Sequence, residues 1–111
     1  MRTIRIQDYK IIHGVPPELS VFDRVSIDTE FTNMDRKKLH RPTGEFACCT
    51  FYFGGENVYI VEDVRDLAQA FQNIEKAGFI FHNAKFDIFH LRRFVVIPVR
   101  MKMWIPCLLS R

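Results

Sequence analysis

From residue 25 onward the spacing of apolar residues changes in an order that few folds can accommodate. Val25, Ile27 and Thr29 alternate with Ser26, Asp28 and Glu30, which is the pattern of a strand covered on one face only. Residues 46–53 are apolar or aromatic at nearly every position, as in a strand buried within a sheet. Gly54-Gly55-Glu56-Asn57 has the residues of a hairpin turn, and residues 58–61 then form the returning strand. A helical period follows. Asp63 is placed as N-cap and Asp66 lies in the first turn beside the positive end of the dipole. Val64, Leu67, Ala68, Phe71 and Ile74 fall on one face, and Gly78 is expected as the left-handed residue that ends the helix. Phe79, Ile80 and Phe81 make a short apolar strand, and Asn83 caps a second helix reaching about Phe94. A hairpin followed by strand, helix, strand and helix requires an α/β fold, a mixed sheet with helices packed against it. The strand at 79–81 follows a crossover helix, so a parallel neighbour is expected for it.

Outside this run the signals are sparser. Residues 9–12 suit a short strand, and Val15-Pro16-Pro17 breaks any regular element. Residues 1–21 therefore read as an N-terminal extension or edge strand, and residues 22–111 as the main domain. Residues 32–44 are polar and basic with Pro42 among them, the composition of a loop. Pro98 interrupts the chain again, and residues 104–109 resemble the first turns of another helix. With 48% hydrophobic residues, 26% charged residues and eleven Phe, the chain can build a core and is not a disordered or solvating segment. No apolar run approaches the ~18 residues that span a bilayer, so no membrane partner is expected. The first ten residues lack the apolar stretch of a secretory leader.

The net charge of +3 is unevenly spread: residues 88–111 hold five basic residues and no acidic one. Arg36, Lys37, Lys38 and Arg41 form a second basic cluster in the expected loop. Such clusters suit either a solvated surface or a polyanionic partner whose phosphates they neutralise. The three cysteines, Cys48, Cys49 and Cys107, form no CxxC pair, and no Cys/His spacing typical of zinc is present. Buried thiols in a reducing compartment fit this usage, which points to the cytoplasm.

Chemistry concentrates in three carboxylates. Asp28 and Glu30 stand at i and i+2 on a strand, so both leave the same face, near its C-terminal end, where open α/β sheets hold ligands. Two adjacent carboxylates repel unless a cation or a shared proton intervenes. Oxygen-only ligation favours Mg2+ or Mn2+. Asp87 falls in the first turns of the second helix, four residues after Asn83 and so on the same helix face. Taken alone, Asp28 and Glu30 also fit the wet face of a strand, Asp87 a dipole-compensating acid and Asn83 a helix cap.

VSIDTEFT at 25–32 and FHNAKFDIFHL at 81–91 resemble the first two motifs of the DEDD 3′–5′ exonucleases. These RNase H-like domains include the proofreading domain of DNA polymerase I and ribonuclease D. Asp28 and Glu30 match the family's D-x-E on its first strand; Asn83, Phe86 and Asp87 match N-x-x-x-[FY]-D after a later strand. The resemblance covers residues 22–111 and implies an RNase H-like mixed sheet, an antiparallel hairpin plus a parallel strand, flanked by helices. It implies hydrolysis of a phosphodiester at a single-stranded DNA 3′ end, or an RNA 3′ end as in ribonuclease D. Two Mg2+ or Mn2+ ions would be held by Asp28, Glu30 and Asp87. It further implies that Asn83 and Phe86 orient and support this group, with Thr29, Phe31 and Thr32 beside the substrate and Phe31 either stacking on the last base or lying in the core. A polymerase domain on the same full-length chain is an implied partner. The family's third motif, Tyr-x-x-x-Asp or His-x-x-x-x-Asp, has no counterpart here, because no acidic residue follows Asp87. The expectation is a domain truncated before its last helix, with weak or no nuclease activity. A non-catalytic nucleic-acid or protein contact on the same scaffold is the alternative reading.

Overall fold

The computed structural model describes residues 2–32, 44–81, 90–95 and 103–104. They form one seven-stranded sheet with helical segments against it. The strands are β1 (Arg2–Ile6), β2 (Tyr9–His13), β3 (Arg24–Thr32), β4 (Glu45–Tyr52), β5 (Asn57–Val61), β6 (Gly78–Phe81) and β7 (Met103–Trp104). Their order across the sheet is β1-β2-β5-β4-β3-β6-β7. β4 runs antiparallel to both β3 and β5, whereas β3–β6, β6–β7 and β2–β5 are parallel pairs. The expected α/β class and mixed sheet are therefore present, and the strand at 79–81 has parallel neighbours on both sides.

The core follows from the alternation in β3. Val25, Ile27 and Thr29 are buried and Ser26, Asp28 and Glu30 are exposed. Phe51 stands opposite Ile27, while Phe79 and Phe81 stand opposite Val25 and Ile27. Onto this face packs α1 (Leu67–Asn73), with Phe71 5.7 Å from Phe51 and 6.0 Å from Phe79 between ring centroids. Each fully buried side chain of this kind contributes roughly 1.5–3 kcal/mol relative to exposure, so the packing of Leu67, Ala70, Phe71 and Ile74 holds the short helix in place.

Asp63 does cap, its carboxylate accepting from the Arg65 N–H at 2.9 Å, but the turn it starts is a 3-10 turn, Val64–Asp66. Val64, expected on the buried face, packs half-buried against the core. Leu67, Ala70, Phe71 and Ile74 are buried at spacing i, i+3, i+4 and i+7, whereas Ala68, expected on this face, is exposed. Gly78 is not a helix cap. It begins β6, and its N–H donates to the Asp23 carbonyl at 3.0 Å. A Cβ there would lie 2.7 Å from Cδ of Arg24, so a larger residue would displace that exposed, flexible side chain, and the backbone is not left-handed. The left-handed glycines are Gly54 and Gly55, at φ +102° and +74°, in the turn between β4 and β5.

The strand expected at residues 9–12 is β2, and with β1 it forms a hairpin at the edge of the same sheet, the edge position being one of the two readings of residues 1–21. One further expectation changes. Trp104 does not open a helix: it lies in β7, paired with Ile80. Short apolar runs suit either element, and the free edge of β6 decides this one by offering a strand partner. Residues 105–109 lie outside the described residues, as do the basic cluster at 36–41 and most of the expected loop.

Candidate functional site

Asp28 and Glu30 point to the sheet face opposite α1, and both are exposed. β3 lies between β4 and β6, which fixes both carboxylates on a paired and twisted platform. Asp28 stands opposite Thr50 and Glu30 opposite Cys48; the Thr50 hydroxyl also donates to the Asp28 carbonyl at 3.3 Å. Ion pairs among the described residues engage Glu56, Glu62 and Asp63 and do not include Asp28 or Glu30. Two hard oxygen donors on one face, facing solvent, fit a divalent cation such as Mg2+ or Mn2+.

On the same face, burial pushes the Cys48 thiol above its ordinary range, and the negative charges of Glu30, Glu62 and Asp28 push it further. The site is thus a stretch from Asp28 and Glu30 on β3, past Cys48 on β4, to Glu62 just beyond the end of β5. Glu62 carries this stretch toward β2, where its carboxylate meets Nδ1 of His13. No spacing rule selects Cys48, Glu62 or His13 from the sequence. They come together through the register of β4 and β5, which local pattern does not encode.

A bulge separates Glu30 from Phe31: Glu30 pairs with Cys48, but Phe31 pairs with Phe46, leaving Ala47 unmatched. The extra residue re-aims the start of β4 and brings Phe46 to the buried face with Cys49 and Phe51. From Cys48 to Tyr52 the burial does alternate, with Cys49 and Phe51 buried and Cys48, Thr50 and Tyr52 half-buried. Phe31 is half-buried there, edge-on to Phe46 at 6.0 Å and 5.1 Å from the His90 ring. Thr29 is buried on the core face and Thr32 is exposed at the end of β3. Of the three, Thr32 keeps an open path to a ligand, while Thr29 and Phe31 are taken up by packing.

Asn83, Phe86 and Asp87 lie outside the described residues. The described chain resumes at His90, where His90 and Leu91 are helical and a turn leads to Val95, the Phe94 and Val95 amides donating to the Leu91 carbonyl at 2.9 and 3.1 Å. An open cleft bounded by Phe46, Glu62, Asp63, Arg93 and Phe94 runs between this turn and the exit of β5. Among the described residues no three His, Cys, Asp or Glu side chains are arranged to hold a metal, and no helix is long and apolar enough to cross a membrane. Cys48 and Cys49 are free thiols; as neighbours on a strand they face opposite sides of the sheet. Compared with known proteins, the chain matches no protein-family model and no curated sequence.

Proposed function

We propose that the chain acts as a metal-dependent 3′–5′ exonuclease of the proofreading type, removing nucleotides from a DNA 3′ end. The observation that carries this reading is the pair Asp28 and Glu30, exposed side by side at the C-terminal part of a central strand. Support comes also from the strand order. An antiparallel hairpin on one side of β3 and parallel strands on the other form the arrangement that an RNase H-like domain implies.

In this reading Asp28 and Glu30 supply oxygen ligands, with Asp87 as the third carboxylate. A bound metal pair would lower the pKa of an attacking water and stabilise the leaving 3′ oxygen. The chain's own contribution is positioning: β3 fixes two ligands, and the basic residues at 36–41 and after Asp87 in sequence attract the phosphates. Asp28, Glu30 and Asp87 supply three carboxylates, and for these 111 residues by themselves slow hydrolysis is expected.

Titration with Mn2+ tests the site directly. The wild-type chain should bind the ion, and Asp28→Asn or Glu30→Gln should weaken binding at least tenfold. Binding that is absent, or that survives Asp28→Asn, overturns the reading. Incubation with 3′-labelled single-stranded DNA and RNA then distinguishes the substrates. Metal-independent DNA binding with no cleavage would assign a non-catalytic role.

A further inference from the structure

The row of side chains that carries Asp28 and Glu30 does not begin with them. Arg24 and Ser26 precede them at every second residue of β3, exposed on the same face, so a cation opens the row and two carboxylates close it. At ~3.3 Å per residue, Arg24 lies about 13 Å from Asp28 along the strand. Two residues before Arg24 stands Phe22, 89% exposed, the highest value for a large apolar residue among those described.

The turn that presents Phe22 is tied on itself. The Asp23 carboxylate accepts from the Ser20 amide at 2.7 Å and from the Ser20 hydroxyl at 3.2 Å. The Phe22 amide donates to the Ser20 hydroxyl at 3.2 Å, and the Asp23 amide to the Ser20 carbonyl at 3.1 Å. A fixed backbone thus offers the ring to solvent, which lowers the ordering cost of binding through it.

Beside this row the same sheet face is aromatic. Tyr52 stands directly opposite Ser26 and diagonal to Arg24, a separation that long and aromatic side chains bridge. Its hydroxyl donates to the Gly55 carbonyl at 2.9 Å, and the Tyr9 ring meets it edge-on at 6.0 Å. Tyr9, Ile11, Tyr52 and Val58 line an open apolar groove there. Rings that accept any base, next to a guanidinium that pairs with phosphate, suit a single strand of nucleic acid. An apolar protein surface would have to desolvate Arg24, whereas a phosphodiester pairs with it.

We propose that Phe22, Arg24 and Tyr52 form a subsite for a single DNA strand, on the 5′ side of the 3′ end held at Asp28 and Glu30. The two rings stack on bases and Arg24 holds a phosphate. The placement of the 3′ end rests on the exonuclease reading above; the subsite itself needs no metal.

The test uses the full chain and a fluorescent oligothymidylate of about ten nucleotides, in EDTA so that hydrolysis does not interfere. Wild type should bind it. Phe22→Ala should weaken binding about fivefold or more, as loss of one stacked base does, and Phe22→Trp should retain it. Tyr52→Leu, which keeps apolar bulk without a ring, should weaken binding several-fold. Arg24→Gln should lower the slope of log affinity against log salt by about 0.7, the share of one single-strand phosphate, and Arg24→Lys should keep the slope. Lys10→Gln should change neither, since the Lys10 ammonium meets Glu56 on the other side of the sheet. If Tyr52→Leu does not fold by circular dichroism, the exposed positions Phe22 and Arg24 decide alone. No binding by the wild type overturns the subsite, and so do folded Phe22→Ala and Arg24→Gln variants with affinity within twofold and an unchanged slope. A dimer that Phe22→Ala dissociates, with no effect on the oligonucleotide, overturns it in favour of a contact between copies. Mn2+ titration of the same chain and of Asp28→Asn judges the metal site separately. Loss of the metal site with the oligonucleotide results intact removes the exonuclease reading and upholds the strand-binding surface.

Discussion

Cys48 is an internal gauge of the acidic sheet face. Its thiol is raised first by burial and then by Glu30, Glu62 and Asp28, and a thiol reacts through its thiolate. Replacing Glu30 by Gln removes the nearest cross-strand charge, so Cys48 should deprotonate more readily. In a Cys107→Ser background, Glu30→Gln should alkylate with iodoacetamide several times faster at pH 8 than its parent. An unchanged rate would show that burial alone controls the thiol. Cys49, fully buried on the other face, should remain unmodified in both. A second residue-scale feature lies at the turn of the β1–β2 hairpin, where Gln7 adopts φ +53°. A side chain in that region costs about 1–2 kcal/mol, and glycine loses about 0.5–1 kcal/mol of that advantage through its larger unfolded-state entropy. Gln7→Gly should therefore raise stability to denaturant by up to about 1 kcal/mol, read as a higher urea midpoint with an unchanged slope.

The helix preceding β6 shows how far local pattern extends at the scale of an element. Its cap is legible because Asp63 acts on its nearest neighbours: the Arg65 side chain first, and then the Arg65 amide, hold the Asp63 carboxyl down to about 2. A lowered carboxylate stabilises the fold above its unfolded value, near 4, and loses that contribution as pH falls through its folded value. Acidification from about pH 4 to about pH 2 should thus erode the cap. Asp63→Asn keeps a capping oxygen without the charge, so its melting temperature should fall less steeply over that window. Glu56, also lowered, chiefly by Lys10, titrates nearby, and the comparison is best made in a Glu56→Gln background. Equal slopes for parent and variant would remove Asp63 from the acid response. The 3-10 turn itself is less legible, since nothing in Val64, Arg65 and Asp66 announces it, and Ala70 rather than Ala68 completes the buried face. Strands 25–30, 58–61 and 79–81 are readable because their partners impose simple alternation or short apolar runs. β1 and β7 are not, because Arg2–Ile6 and Met103–Trp104 become strands only where a sheet edge meets them. The site divides in the same way. Asp28 and Glu30 are visible from i and i+2 spacing, whereas Cys48 and Glu62 are brought in by strand register.

For the molecule as a whole, the sheet divides into a core-bearing part and an attached hairpin. The contiguous buried cluster runs from Leu19 through the central strands to Leu91 and Val95; Ile12, although 8% exposed, lies outside it. What holds β2 to β5 is mainly backbone pairing, from Lys10 opposite Asn57 to His13 opposite Ile60, with the Lys10 amide on the Glu56 carbonyl at 2.6 Å. Arg5 and Lys10 add ion pairs to Glu56, both 3.1 Å and exposed, and such pairs contribute about 0–1 kcal/mol each. Removing residues 1–13 should therefore leave the central strands, α1 and the Asp28–Glu30 face folded. The cost appears elsewhere. β5 would become an edge with unpaired amides and half-buried Val58 and Ile60 beside it, a template for pairing with another chain. The 14–111 chain should keep a cooperative melt and wild-type Mn2+ affinity, yet shift to larger species in sedimentation as concentration rises. If it is instead unfolded at low concentration, the hairpin belongs to the folding core and Ile12 matters more than its place outside the cluster implies. If it stays monomeric at all concentrations, the face beside β5 is protected by something other than the hairpin.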